Sequence, residues 1–340
     1  MTPNEIKAVL RGLLETRLPG FLWGPPGIGK SSIVRQVSGE LGYELIDVRA
    51  VLLDPVDLRG LPSINGDNRA HWCPPAFLPH KEDAKCIILL DELPQAPPLV
   101  QSACLQLVLD RRLGEYVLPD QCVTMAAGNR QEDRTGAHRM ITSLSNRFAC
   151  HMDLEVNNDE WQDWALDNGI IPEVRSYLHF RPAHLFQFDP NSGARAFATP
   201  RSWEFVSKLL PRTPSGLEHH VICGSVGEGL ATEFLAFRNT YDKLPDPDKI
   251  LASPETSDVP TELSVLYALC GALVDRVKKK DKKETKRLDA VSIYAGRLQQ
   301  EFAVLLMKES ARANPNLLRK SQAAKDWASD HADLLLGRES

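Results

Sequence analysis

Gly24-Pro25-Pro26-Gly27-Ile28-Gly29-Lys30-Ser31 satisfies G-x-x-x-x-G-K-[ST] at every specified position. The octapeptide follows an apolar tetrad, Gly20 to Trp23, and leads into the helical pattern Ser31 to Leu41, so it predicts a strand, a glycine-rich loop and a helix in that order. In that setting consecutive backbone N–H groups converge on phosphate oxygens, and the helix N-terminus adds partial positive charge. Lys30 is placed to reach the β- and γ-phosphates of a nucleotide, and Ser31 to offer its hydroxyl to Mg²⁺. Gly24, Pro25, Pro26, Gly27, Ile28, Gly29, Lys30, Ser31 and the following Ser32 are therefore candidate nucleotide-binding residues.

Phosphate chemistry needs a second element to hold the metal and activate water. Cys86-Ile87-Ile88-Leu89-Leu90-Asp91-Glu92 supplies one, an apolar strand ending in adjacent carboxylates. Asp91 can hold Mg²⁺ together with Ser31, and Glu92 can act as base on the water. A further apolar run, Val123 to Ala127, ends in Gly128-Asn129. There Asn129 reads either as an amide that orients the attacking water or as part of a simple Gly-Asn turn, and spacing leaves both open.

Beyond these motifs the first half alternates short apolar runs with helical periods, the pattern of a parallel sheet covered by helices. Predicted strands are Gly20 to Trp23, Glu44 to Val48, Cys86 to Leu90, Val123 to Ala127 and His151 to Val156; Pro98 to Leu109 reads as a helix. The stretch Asp54 to His80, rich in proline, glycine and polar residues, is too long for a plain connection and reads as a functional loop or hairpin. After Val156 the strand signal stops, and helical patterns follow at Asp159 to Asn168, Glu173 to Leu178, Arg201 to Leu210 and Gly229 to Tyr241. A proline-rich break, Leu244 to Pro260, precedes two more helical stretches.

At 340 residues, 43% hydrophobic and 25% charged, the chain can bury a sizeable core without staples and is not wholly disordered. The net charge of −5 offers no global basic field for nucleic acid or an acidic membrane. The longest apolar stretch, Leu263 to Val274, is too short to span a bilayer. Seven cysteines, an odd number without a C-x-x-C pair, lead us to expect reduced thiols in a cytoplasmic protein. Met1 to Glu5 reads as a capped helix start rather than a secretory signal.

Taken in order, these segments resemble the AAA+ ATPases, and within them the MoxR-type group. The resemblance rests on the Walker A loop Gly24–Ser31, the Walker B strand Leu89-Leu90-Asp91-Glu92 and the following Ala96-Pro97-Pro98-Leu99-Val100-Gln101-Ser102-Ala103. It extends to Asp54-Pro55-Val56-Asp57-Leu58-Arg59-Gly60, the segment ending at Asn129, Ser145-Asn146-Arg147-Phe148 and Ala198-Thr199-Pro200-Arg201. It implies an α/β P-loop AAA+ parallel-sheet domain (1–156), an all-helical lid (157–245) and a helical C-terminal extension (256–340). It also implies Asn129 as sensor 1, Arg147 as an arginine finger acting on a neighbouring subunit's nucleotide, and Arg201 as sensor 2. Arg139 and the Arg111-Arg112 pair are rivals for the finger, and a surface arginine paired with a carboxylate is the plain alternative for Arg147.

From the resemblance follow ATP and Mg²⁺ as ligands and a homo-oligomeric ring, expected to be a hexamer. The expected work is chaperone-like remodelling or activation of a partner protein, or a metal-insertion role. No Asp-x-Ser-x-Ser motif occurs, so a von Willebrand factor A partner would be a separate chain. An ATP-dependent DNA transaction motor is the alternative, although the composition argues against nucleic acid as partner. The segment between Asp47 and Cys86 lacks the aromatic–hydrophobic–glycine pore loop of unfoldases, and an Asn-Lys-x-Asp guanine signature is absent. The nine histidines show no metal-ligand spacing, and the basic run Arg276 to Arg287 reads by default as a solvated face. The Asp54–His80 and Arg112–Asp120 loops, with His71, Trp72 and Tyr116 as exposed aromatic candidates, are where partner contact is expected.

Overall fold

The computed structural model describes residues 1–64, 70–133, 136, 140–241 and 244–332. The chain forms two compact units. The first comprises Met1–Asn157 with two returning segments, Phe188–Gly193 and Thr199–Arg201; the second comprises Asn158–Gln187, Ala194–Ala198 and the chain from Ser202.

The strands in chain order are β1 (Gly20–Trp23), β2 (Glu44–Arg49), β3 (Leu61–Ile64), β4 (Ala70–Cys73), β5 (Cys86–Asp91), β6 (Arg112–Leu113), β7 (Tyr116–Val117), β8 (Val123–Gly128) and β9 (Cys150–Asp153). Five of them make an all-parallel sheet in the order β2-β5-β8-β1-β9. Unbroken apolar runs suit such strands, because both faces of a parallel sheet are covered. Alternate side chains serve opposite layers. Phe21, Ile88, Leu90 and Ala126 pack in one cluster with Val100 and Cys104 of the helix Pro98–Leu105. Leu22, Ile87, Leu89, Met125 and Ala127 join Leu10 and Leu14 of Pro3–Thr16 and Val34 and Val37 of Lys30–Leu41 on the other. All five predicted strands are present, with ends displaced by three residues at most. The helix expected from Pro98 to Leu109 is α-helical only to Leu105 and continues as a π turn, Gln106–Asp110.

The Asp54–His80 stretch contains a short helix, Pro55–Arg59, and the antiparallel hairpin β3–β4; a second small hairpin is β6–β7. His71 Nδ1 stands 3.8 Å from Glu115 Oε2, which couples the two hairpins. Leu61, Ile64, Trp72 and Val117 on them are exposed. Tyr116 departs from the expectation of a free aromatic: it is half-buried and its hydroxyl donates to the Pro79 carbonyl.

The second unit is helical. Leu166, in the segment expected as a lid, shares one core with Leu269, Leu273, Val291, Phe302 and Leu306 of the segment expected as an extension. At its centre Arg175, 2% exposed, faces Glu309 at 3.7 Å, while Arg312 donates to the same carboxylate at 2.9 Å. Burial pushes the Glu309 carboxyl up, but His179 and Arg312 outweigh it and bring it to about 2. The sequence reading missed the helices Glu218–Val226 and Pro247–Ala252, the first having weak apolar periodicity and the second lying inside a proline-rich break. Where it expected two helical stretches after that break, five helices form among the described residues, from Leu263–Val277 to Gln322–Asp330. All seven cysteines are free thiols. Among the described residues no helix is long and apolar enough to cross a membrane.

Candidate nucleotide-hydrolysis site

Parallel pairing brings the motifs together. Trp23 is in register with Gly128 and Leu90 with Ala126, so the loop after β1, the acids ending β5 and the amide after β8 emerge side by side at the carboxyl edge of the sheet. Ligands of open α/β sheets bind at such an edge.

Gly29 caps the helix Lys30–Leu41 with φ 107°, and Gly27 has φ 75°, both conformations suited to glycine. A Cβ at Gly27 would stand 2.7 Å from Thr199 Oγ1, and the Arg201 N–H donates to the Gly27 carbonyl at 3.3 Å. The loop therefore serves as a docking edge for Thr199–Arg201. This places Arg201, the expected sensor 2, against the loop within the first unit.

Lys30 is 8% exposed, and its ammonium donates to the Gly24 carbonyl at 2.7 Å, the Pro25 carbonyl at 3.0 Å and Asn129 Oδ1 at 2.7 Å. Burial pulls it down to about 8, against the opposing fields of Asp91 and Asp133. Ser31 Oγ donates to Asp91 Oδ2 at 2.7 Å, which sets a hydroxyl and a carboxylate oxygen where a hard cation takes oxygen ligands. Asp91 Oδ1 accepts the Glu92 N–H at 3.0 Å. Glu92 itself sits at φ 57°, a left-handed conformation costly for a side chain of its kind and the sort of local strain found at functional sites. The lysine contact puts the Asn129 amide inside the site, beyond what a plain turn requires.

Arg147 lies apart from this group. Its guanidinium donates to the Leu105 carbonyl at 2.7 Å and stands 3.5 Å from Asp110 Oδ2, so within one chain it is paired at the end of the π turn. Arg111 is tied to the Cys122 and Pro119 carbonyls, whereas Arg112 is exposed on β6. Arg139 lies outside the described residues. Two site neighbours escaped the sequence reading. Asp133, 8% exposed, accepts the Arg130 N–H at 2.8 Å and acts electrostatically on Lys30; its position four residues after Asn129 was the available signal. Thr199 belongs to the segment Ala198-Thr199-Pro200-Arg201, but nothing local announces its packing on Gly27.

Fold and site together define a P-loop ATPase domain of AAA type. Residues 21–152, from β1 through β9, match the family model described as "ATPase family associated with various cellular activities (AAA)". Over 187 residues the chain is 28% identical to midasin of Giardia intestinalis, an alignment covering 52% of this chain and 4% of that protein. It is also 53% identical over 30 residues to the replication factor C large subunit of Pyrobaculum calidifontis, covering 9% of this chain and 7% of that one. The chain thus spans a small fraction of the length of either curated relative. A solved variant of RuvB from Thermotoga maritima is similar at TM-score 0.40 and 17% identity, over 79% of this chain and 81% of that one.

Proposed function

We propose that this chain is the motor subunit of a MoxR-type ring, expected to be hexameric, that hydrolyses ATP with Mg²⁺ to remodel or activate a partner protein. The carrying observation is the grouping at the phosphate loop of Lys30, bonded to Asn129 and to the Gly24 carbonyl, with Ser31, bonded to Asp91, and Glu92 next in line. The loop N–H groups and the Lys30 ammonium would receive the β- and γ-phosphates. Ser31 and Asp91 would hold Mg²⁺, whose charge offsets that of the phosphate oxygens when bound. Glu92 then takes the proton of the attacking water, and the Asn129 amide orients that water beside the γ-phosphate. Arg201 would contact the same nucleotide from its own chain, and Arg147 of a neighbouring subunit would neutralise charge in the transition state.

The hairpins β3–β4 and β6–β7, linked by His71 and Glu115, support the partner reading, because Leu61, Ile64 and Trp72 lie exposed on the first. A separate chain with a von Willebrand factor A domain is one such partner; a metal-insertion role is a variant of the same work. The test is Glu92→Gln. It should keep ATP binding while turnover falls by about 10²–10⁴-fold, the range for loss of a general base. Undiminished turnover refutes the assignment of Glu92. Affinity capture with this variant and ATP should retain the partner protein. Turnover stimulated by DNA with a steep salt dependence would instead identify the DNA motor.

A further inference from the structure

The basic run of the second unit is largely exposed, as expected of a solvated face, and part of it also lines a concavity. The helix Leu263–Val277 ends at the start of the run and Glu284–Ala295 begins within it, and Pro247–Ala252 closes the side. Between these elements lies an open groove of about 480 Å³, within the size range of small-ligand sites. Leu251, 6% exposed, and Ala252 contribute its apolar lining.

Its charges do not cancel. Asp248 is held by Arg276 at 3.1 Å and Asp281 by Arg287 at 2.9 Å, so each carboxylate facing the groove has its own arginine. Glu284, the other acid of the run, is buried away from solvent and bound by Lys320, Asn314 and Asn316, which with burial acting in opposition hold it at about 2. Lys278 is spent on the Leu166 carbonyl. Lys279, Lys283 and Lys286 remain, all exposed, all lining the groove and none in an ion pair among the described residues. Arg276, Lys279, Lys283, Lys286 and Arg287 against Asp248 and Asp281 leave the lining with an excess of cations, and in a chain of net charge −5 this makes a local field opposite to the molecule's own.

We infer that this groove binds a small polyanion carrying two or more phosphate groups. Lysines act on phosphates as point charges without fixed geometry, so several of them around a cavity select for charge density. The apolar lining from Leu251 and Ala252 leaves room for an uncharged moiety beside the phosphates.

Inorganic tripolyphosphate is the probe, titrated calorimetrically into Lys30→Ala protein so that the phosphate loop does not compete. The expected result is saturable binding that weakens at least tenfold in Lys279→Ser/Lys283→Ser/Lys286→Ser on the same background. A second readout needs no site variant: tripolyphosphate should protect these three lysines, and not Lys280 or Lys282, from acetylation mapped by mass spectrometry. No saturable binding, equal binding by the triple variant, or protection spread evenly over the run overturns the inference. Tighter binding of an oligonucleotide than of tripolyphosphate, lost in the same variant, also overturns it in favour of a nucleic-acid surface.

Discussion

Raising the pH from 7 to 9 should weaken ATP binding about tenfold through Lys30 alone. In the nucleotide-free protein, burial holds this ammonium at about 8. Phosphate oxygens gain only from the charged form, which on that value is about 90% populated at pH 7 and about 10% at pH 9. Bound phosphates favour the charged form, so binding at pH 9 should take up close to one proton per site, and at pH 7 about a tenth of one. Calorimetric titration with a non-hydrolysable ATP analogue, in buffers of different ionisation heat, reads both quantities. Lys30→Arg keeps its charge throughout and should show neither effect. Proton uptake at pH 9 that is absent from the wild type, or equal in Lys30→Arg, refutes the reasoning. The sign for stability is the reverse. Because the folded value lies below the ordinary 10.5, the unfolded chain holds more protons between about 8 and 10.5. The nucleotide-free protein should therefore gain stability from this group as pH rises through that window, by up to about 3 kcal/mol.

Arg147→Ala should bind ATP yet turn over slowly, and an equal mixture with Glu92→Gln protein should recover about a quarter of wild-type activity if interfaces assort at random. With subunit exchange verified, a mixture no more active than its parents removes Arg147 from the interface. Gly27→Ala carries a left-handed backbone cost of about 1–2 kcal/mol and drives a methyl into Thr199, so ATP affinity should fall at least tenfold in an equilibrium titration; unchanged affinity would show that the loop does not need this docking. Glu309→Ala leaves Arg175 as a buried cation without its carboxylate, and urea unfolding should report a loss of about 3–5 kcal/mol. A loss below about 1 kcal/mol would mean that the pair contributes little to this core.

Local signals carried the first unit. The phosphate loop, the acids at the end of β5 and the amide after β8 were legible because each is a short stretch of fixed residue types beside an apolar run. Those runs then had to be strands of one parallel sheet. Residues 21–152 match the AAA family over the same segments. The π turn Gln106–Asp110 was not legible: its apolar spacing fits a continuous helix, and the carbonyls that hold Arg111 and Arg147 come from residues brought near only by folding.

The sequence by itself therefore determined the order of the motifs: a glycine-rich loop after the first strand, two acids at the end of a later one, and the point where strands give way to helices. These depend on contacts within a few residues, where periodicity and backbone conformation act directly. Only the tertiary structure decided that Thr199–Arg201 returns to the loop at Gly27, that Asp133 faces Lys30, and that Leu166 shares a core with helices a hundred residues further on. It also decided that part of the basic run lines a groove with Asp248, Leu251 and Ala252. Those outcomes depend on packing between distant segments. An arginine, a threonine or a run of lysines carries the same local signal whether it lies on open surface or against a neighbour.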